Sequence, residues 1–273
     1  MKAVHFTIPF VCAFLLMCQP VPLTQRSQLN LIPESQLLPL SSDEYQSMLN
    51  EMEVVTGTRE AAMVKRVGRR IKSAVADYMA EIGYEERLED YEWEFNLIED
   101  SAINAFAMPG GKVGVFTGMM PVAETETGLA VVMAHEIAHV IAQHGNERMS
   151  QALLVQLGGA ALSVALAERP AETRRLFLAA YGLGSQLGVL LPYSRLHESE
   201  ADRLGLIFMA KAGYNPREAV DFWQRMEEAS EGGAPPAFLS THPTHQQRIE
   251  NLREQMPEAL EYYREATEAP PTD

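Results

Sequence analysis

Apolar positions recur along this chain at two periods, and the switch between them marks its elements. Val64, Val67, Ile71, Val75 and Tyr78 repeat at three and four residues, which puts one stripe on a helix that Thr58 can cap and that ends near Ile82. In Tyr91–Ile98, Trp93, Phe95 and Leu97 alternate with polar residues, as in a half-buried strand. Ile103–Met108 and Lys112–Thr117 are two further short strands, and the Pro109-Gly110-Gly111 turn between them predicts a hairpin. A nearly all-apolar helix should start at Thr125 or Thr127 and run to about Gly145. Helices are then expected over Arg195–Ala212, Arg217–Ser230 and Pro243–Gln255, the first two separated by Gly213-Tyr214-Asn215-Pro216.

The remaining stretches are less periodic. Residues 19–41, rich in Pro, Gln and Ser, are expected to form an extended lead-in, and Ser42 or Asp43 to open a helix through Val54. Between Ser150 and Leu191 the chain is apolar but broken by Gly158-Gly159 and Arg169-Pro170. Neither half reaches the roughly 18 uninterrupted apolar residues of a membrane span, so a pair of helices packed on the protein or touching a membrane surface is expected. The acidic 265–273 segment, with two prolines, is expected to be disordered. The fold class is α+β: one mostly helical domain over residues 42–264 with a small sheet beside the apolar helix.

Composition narrows the classes. With 273 residues and 47% hydrophobic content the chain can bury one good-sized core. A net charge of −15 argues against nucleic acid as a partner. The two cysteines, Cys12 and Cys18, sit in an N-terminal segment that has Lys2 and then an apolar run from Phe6 to Met17. That reads as a secretory signal over residues 1–18, degenerate toward a lipoprotein signal in which Cys18 is lipidated and ties the chain to a membrane. The expected location is therefore an exported one, the bacterial periplasm or outer membrane. Nothing in the pattern sets an oligomeric state.

The apolar helix carries the chemistry, as His135-Glu136-Ile137-Ala138-His139. Residues four apart share a helix face, so both imidazoles can address one metal ion, with Glu136 beside the open position. Burying two imidazoles and a carboxylate without partners is costly, and a zinc ion supplies those partners. The HExxHxxGxxH pattern is absent: Ala142 stands in the glycine's place, and on a continuing helix His144 lies well off the ligand face. A third ligand must come from elsewhere. In His197-Glu198-Ser199-Glu200-Ala201-Asp202, Glu198 and Asp202 share a face, while Glu200 is turned about 200° away and reads as solvated. Glu198 is assigned as ligand, and Asp202 as acceptor from the outer N–H of a ligand histidine. Gly110-Gly111-Lys112 does not complete a phosphate loop, lacking the remaining glycine and Ser/Thr.

The pieces NAFAMPGGKVGVFTG, HEIAHVIAQHGNERMSQ, LPYSRLHESEADRLGLIFMAKAGYNP and FLSTHPTHQQRI, in this order, resemble the exported bacterial branch of the zinc peptidases that include the CAAX prenyl endopeptidases and HtpX. The resemblance covers about Gln28 to Tyr263 and implies a gluzincin endopeptidase fold, with zinc on His135, His139 and Glu198 and with Glu136 as general base. It also implies a site role for His242, either as a displaceable fourth ligand or as an oxyanion donor. The transmembrane helices of the membrane-embedded members and the helical repeat domain of the outer-membrane-assembly members are absent from these 273 residues. Misfolded or misassembled proteins are the substrates the resemblance implies. An extended polypeptide is expected to add as a strand beside Asn104, Ala105 and Phe106. Two other classes are open: an inactive zinc-stabilised chaperone or assembly factor, against which Glu136 speaks because a structural site needs no base, and a membrane-surface adaptor built on the apolar 150–191 region.

Overall fold

The computed structural model describes residues 18–21, 24–157, 170–181, 183, 194–230, 236–242 and 247–268. Four strands, β3 (Val54–Val55), β4 (Glu94–Ile98), β5 (Ala105–Met108) and β6 (Lys112–Phe116), form one sheet in the order β3-β4-β6-β5. The chain leaves β4, crosses to the far edge as β5 and returns through the glycine turn as β6. β4 and β6 are therefore parallel, while β5 and β6 make the expected antiparallel hairpin, Ala105 opposite Val115. Gly110 and Gly111 have φ of 79° and 78°, and a Cβ on Gly111 would fall 2.5 Å from the Trp93 ring, so this turn needs glycine. A separate two-stranded hairpin pairs β1 (Cys18–Pro20) with β2 (Ser27–Leu29).

Strand alternation sorts the core into two halves. Phe95, Leu97, Ala107, Val113 and Val115 face a cluster built by α2 (Arg59–Glu81), α4 (Glu126–Ile141) and α7 (Arg195–Lys211). Ile98, Phe106, Met108 and Phe116 face a second cluster with α1 (Glu34–Glu51), α5 (His144–Leu157) and α6 (Pro170–Ala180). Thr58 caps α2 as expected, its side chain accepting from the Ala61 amide at 3.1 Å, and the whole predicted stripe is buried. The chain then runs through α3 (Met120–Ala123), and after α7 through α8 (Glu218–Glu228), α9 (Ala237–Thr241) and α10 (Arg248–Glu268). Among the described residues, no helix is long and apolar enough to cross a membrane.

The first helix ends at Glu51, short of the expected Val54, which lies in β3, and three further boundaries differ from expectation. The lead-in is extended only in part, because α1 begins at Glu34 and runs through Pro39. A proline there loses one helix hydrogen bond, and tertiary anchors offset it: Tyr45 Oη donates to the Val113 carbonyl at 2.8 Å and Ser41 Oγ to the Pro109 carbonyl at 2.7 Å. At the other end α10 continues to Glu268, into the segment read as disordered. It buries Leu252 and Ala259, and Tyr262 packs edge-on against Tyr78 at 6.4 Å. The third difference bears on the site. α4 stops at Ile141 because Gln143 takes φ of 56°, and α5 starts at His144 in a new direction. That backbone state is unfavourable for a residue with a Cβ. It is held by the Gln143 amide, which donates to Glu34 Oε1 at 2.8 Å and accepts from Asn30 at 2.6 Å. Of the apolar 150–191 region the described residues form two helical pieces, and residues 158–169, 182 and 184–193 lie outside the described set, as do residues 1–17, where a signal was expected.

Candidate metal centre

α4 and α7 pack against each other at the point where the chemistry sits. Gly205 permits it: a Cβ there would stand 3.2 Å from both the backbone N and Cα of His135. Ser194 caps α7 by accepting from the His197 amide at 3.2 Å, which sets Glu198 in the first turn, facing α4. His242 arrives from the end of α9, its ring stacked on Phe238 at 4.4 Å. The donor atoms of His135, His139, Glu198 and His242 all lie within 4.8 Å of one another, and all four residues are buried.

The spacing suits one small cation. His135 Nε2 is 3.1 Å from His139 Nε2 and 3.4 Å from Glu198 Oε2, and His139 Nε2 is 3.4 Å from Glu198 Oε1. His242 Nδ1 is 3.0 Å from Glu198 Oε1 and 3.4 Å from His135 Nε2. Four ligands at zinc distances around a tetrahedron would be about 3.3 Å apart. Charge points the same way. Glu136, Glu198 and Asp202 converge here with Arg248, whose Nη1 is 3.0 Å from Glu198 Oε2 and whose Nη2 donates to Asp202 Oδ1 at 2.7 Å. Three buried carboxylates converging on one point make a site that suits a divalent ion.

The titration behaviour follows from this. Burial opposes a charge on His135, but Asp202 and Glu198 outweigh it and hold the ring up at about 9. Burial lowers His139 well below the usual histidine range. Burial also raises the Glu136 carboxyl, which suits it to exchange a proton. For Glu198 burial is overcome by His242 and Arg248, and the carboxyl stays ionised. Asp202 Oδ1 lies 3.0 Å from His135 Nδ1, which donates to it, so the ring turns Nε2 toward the cluster, where a bound cation would take the place of the Nε2 proton. Glu136 Oε1 lies 3.4 Å from His242 Nε2.

Not every expected residue belongs to this cluster. Asn104, Ala105 and Phe106 do sit at the sheet edge on or beside β5, but all three are buried. Phe106 packs edge-on against Tyr45 and Phe116 at 6.3 and 6.1 Å, as a core side chain. Glu200, read as solvated, is buried: Arg26 Nε donates to both its oxygens at 3.1 and 3.0 Å, and Thr24 to Oε1 at 2.6 Å. His144, placed off the ligand face by the sequence, touches the cluster all the same, since the chain break at Gln143 folds its Nδ1 to 2.9 Å from His139 Nδ1. Burial lowers His144 to about 4, so the ring is neutral. Arg248, 1% exposed and 3.3 Å above the Trp223 ring, was not anticipated: it falls within the piece FLSTHPTHQQRI, but its type and spacing alone do not point to the cluster.

Compared with known families, residues 65–256 match the model of peptidase family M48. The chain belongs to peptidase family M48. Its metal cluster falls within the matched span. The chain is 42% identical over 176 residues to the mitochondrial metalloendopeptidase OMA1 of Schizosaccharomyces pombe, covering 63% of this chain and 49% of that protein. It is 34% identical over 274 residues to the mitochondrial metalloendopeptidase OMA1 of Bos taurus, covering 97% and 51%. The β-barrel assembly-enhancing protease of Escherichia coli is 30% identical over 165 residues, covering 59% and 34%. The chain spans about half the length of the mitochondrial relatives. These matches correct the exported bacterial branch expected from the motifs, and they overturn the periplasmic or outer-membrane location, because relatives matched over 97% of this chain are mitochondrial.

Proposed function

We propose that this chain is a zinc-dependent endopeptidase domain that cleaves extended polypeptides, among them misfolded or misassembled proteins. The observation that carries the reading is the convergence of His135, His139 and Glu198 within one buried cluster, with Glu136 beside it. Zinc held there would polarise the scissile carbonyl and acidify the attacking water. Glu136, one residue along α4 from His135, takes the proton of that water and passes it to the leaving amine. Its burial and raised carboxyl suit both steps. Asp202 and Arg248 keep His135 and Glu198 in their working orientation. His242 Nδ1 sits among the ligand atoms, in the corner where the water must enter. In this reading His242 acts as a displaceable fourth ligand that leaves before substrate is cut. An extended substrate would pair along β5, an edge strand of the sheet, once the side chains that cover it give way.

The test is cleavage of an unfolded protein such as casein. Purified protein should cut it, a chelator should stop it, and zinc should restore it. Glu136→Gln should reduce the rate by about 10²–10⁴-fold with zinc still bound. Cleavage unchanged by that substitution would refute the mechanism.

A further inference from the structure

His139 is not oriented as its neighbour His135 is. His135 donates directly to a carboxylate, Asp202. His139 Nδ1 meets instead another imidazole, His144 Nδ1, at 2.9 Å, and the far nitrogen of that ring, Nε2, lies 3.1 Å from Glu200 Oε2. The protons in this chain can be assigned from its fixed end. Glu200 is a carboxylate held by Arg26 Nε on both oxygens and by the Thr24 hydroxyl. An ionised carboxylate can only accept, so His144 Nε2 donates to it. With Nε2 engaged as that donor, Nδ1 is the nitrogen of His144 left to accept, and a His139 ring that turns Nε2 to the cation carries its proton on Nδ1. His139 must then donate its Nδ1 proton to His144, because two lone pairs cannot face each other at 2.9 Å. His139 Nε2 is thereby left unprotonated, 3.1 Å from His135 Nε2, as a metal requires.

The relay is also clamped from outside. Arg26, in the N-terminal segment just before β2, bridges Glu200 on α7 to Glu147 on α5, its Nη1 and Nη2 donating to Glu147 at 3.0 and 2.8 Å. Glu147 Oε2 lies 3.0 Å from His197 Nε2, and His197 stacks on His144 with ring centroids 4.5 Å apart. Burying two glutamates and two imidazoles away from any ligand would be unfavourable without a task that orders them. We propose that His144 and Glu200, clamped by Arg26, are positioning residues that hold His139 in the tautomer able to bind the cation. The proposal rests on the metal reading of the His135–His139–Glu198 cluster.

The experiment is zinc titration of the full chain against a chromophoric chelator. His144→Phe keeps the ring volume and removes the acceptor, and zinc affinity should fall about 10–100-fold. His144→Asn places an amide oxygen where Nδ1 was and should restore most of the affinity, which a merely space-filling role would not do. Nitrogen-15 NMR of the unaltered zinc-loaded chain should find the proton on Nδ1 of His139 and on Nε2 of His144. A His144→Phe protein that binds zinc as tightly as the unaltered chain, or an Nδ1-protonated His144, would overturn the relay. Failure of the unaltered chain to bind zinc at all would instead overturn the metal reading on which it stands.

Discussion

Arg248→Met makes the sharpest test of how charge is balanced in the cluster. The guanidinium is buried, pairs with Glu198 and Asp202 at 3.0 and 2.7 Å, and lies 3.3 Å above the Trp223 ring. Methionine keeps most of the packing and removes the charge. In the metal-free chain this takes the guanidinium from two buried carboxylates, and removing one partner of such a pair costs about 3–5 kcal/mol. With zinc present, Glu198 regains a counter-charge and Asp202 still accepts from His135. The loss then shrinks to about 2 kcal/mol, the size of a desolvated cation–π contact. The difference, about 2 kcal/mol, must by the thermodynamic cycle appear as zinc binding about 30-fold tighter in the variant. Urea unfolding with a chelator and with excess zinc, for both proteins, measures each side. Equal destabilisation in the two conditions, or weaker zinc binding by Arg248→Met, would refute the reasoning.

Other consequences are simpler. Gly205→Ala puts a methyl 3.2 Å from the His135 backbone, which cannot yield, so α7 is pushed off α4; chemical denaturation should show a loss of about 1–3 kcal/mol together with weaker zinc binding. His242→Ala should raise casein cleavage by clearing the corner that His242 Nδ1 holds, and a drop in rate would make that ring a donor to the reaction instead. Glu147 gives a pH dependence. Burial would raise its carboxyl, but His197 and Arg26 hold it down at about 2, below its unfolded value near 4.5. Its contribution is complete above the unfolded value and is lost as pH falls toward 2, an amount of about 3 kcal/mol for a shift of this size. Glu147→Gln should therefore flatten the acid limb of the stability curve, and an unchanged limb would contradict the pairing.

Much of the site was readable because the chemistry lies at helical spacings on elements whose apolar stripes are clear. His135 and His139 at four residues, Glu198 and Asp202 at four residues, and the stripe of α2 from Val64 to Tyr78 all depend on local geometry alone. The errors lie where a distant segment intervenes. Helical geometry did turn Glu200 away from Glu198, but could not show that Arg26, 174 residues earlier, covers that face. His144 was set aside on the assumption that α4 continues; the break at Gln143 depends on Glu34 and Asn30, whose approach no periodicity encodes. Pro39 inside α1 and the extension of α10 to Glu268 were missed because buried tyrosines, Tyr45 and Tyr78, override local signals.

The account stands on one cation held between α4 and α7. Anomalous diffraction at the zinc edge, on crystals of the zinc-loaded chain, locates it directly. The prediction is one strong peak about 2.0–2.1 Å from His135 Nε2 and His139 Nε2 and at bonding distance from a Glu198 oxygen. A peak bound elsewhere, or a cluster left without one at saturating zinc, would contradict it.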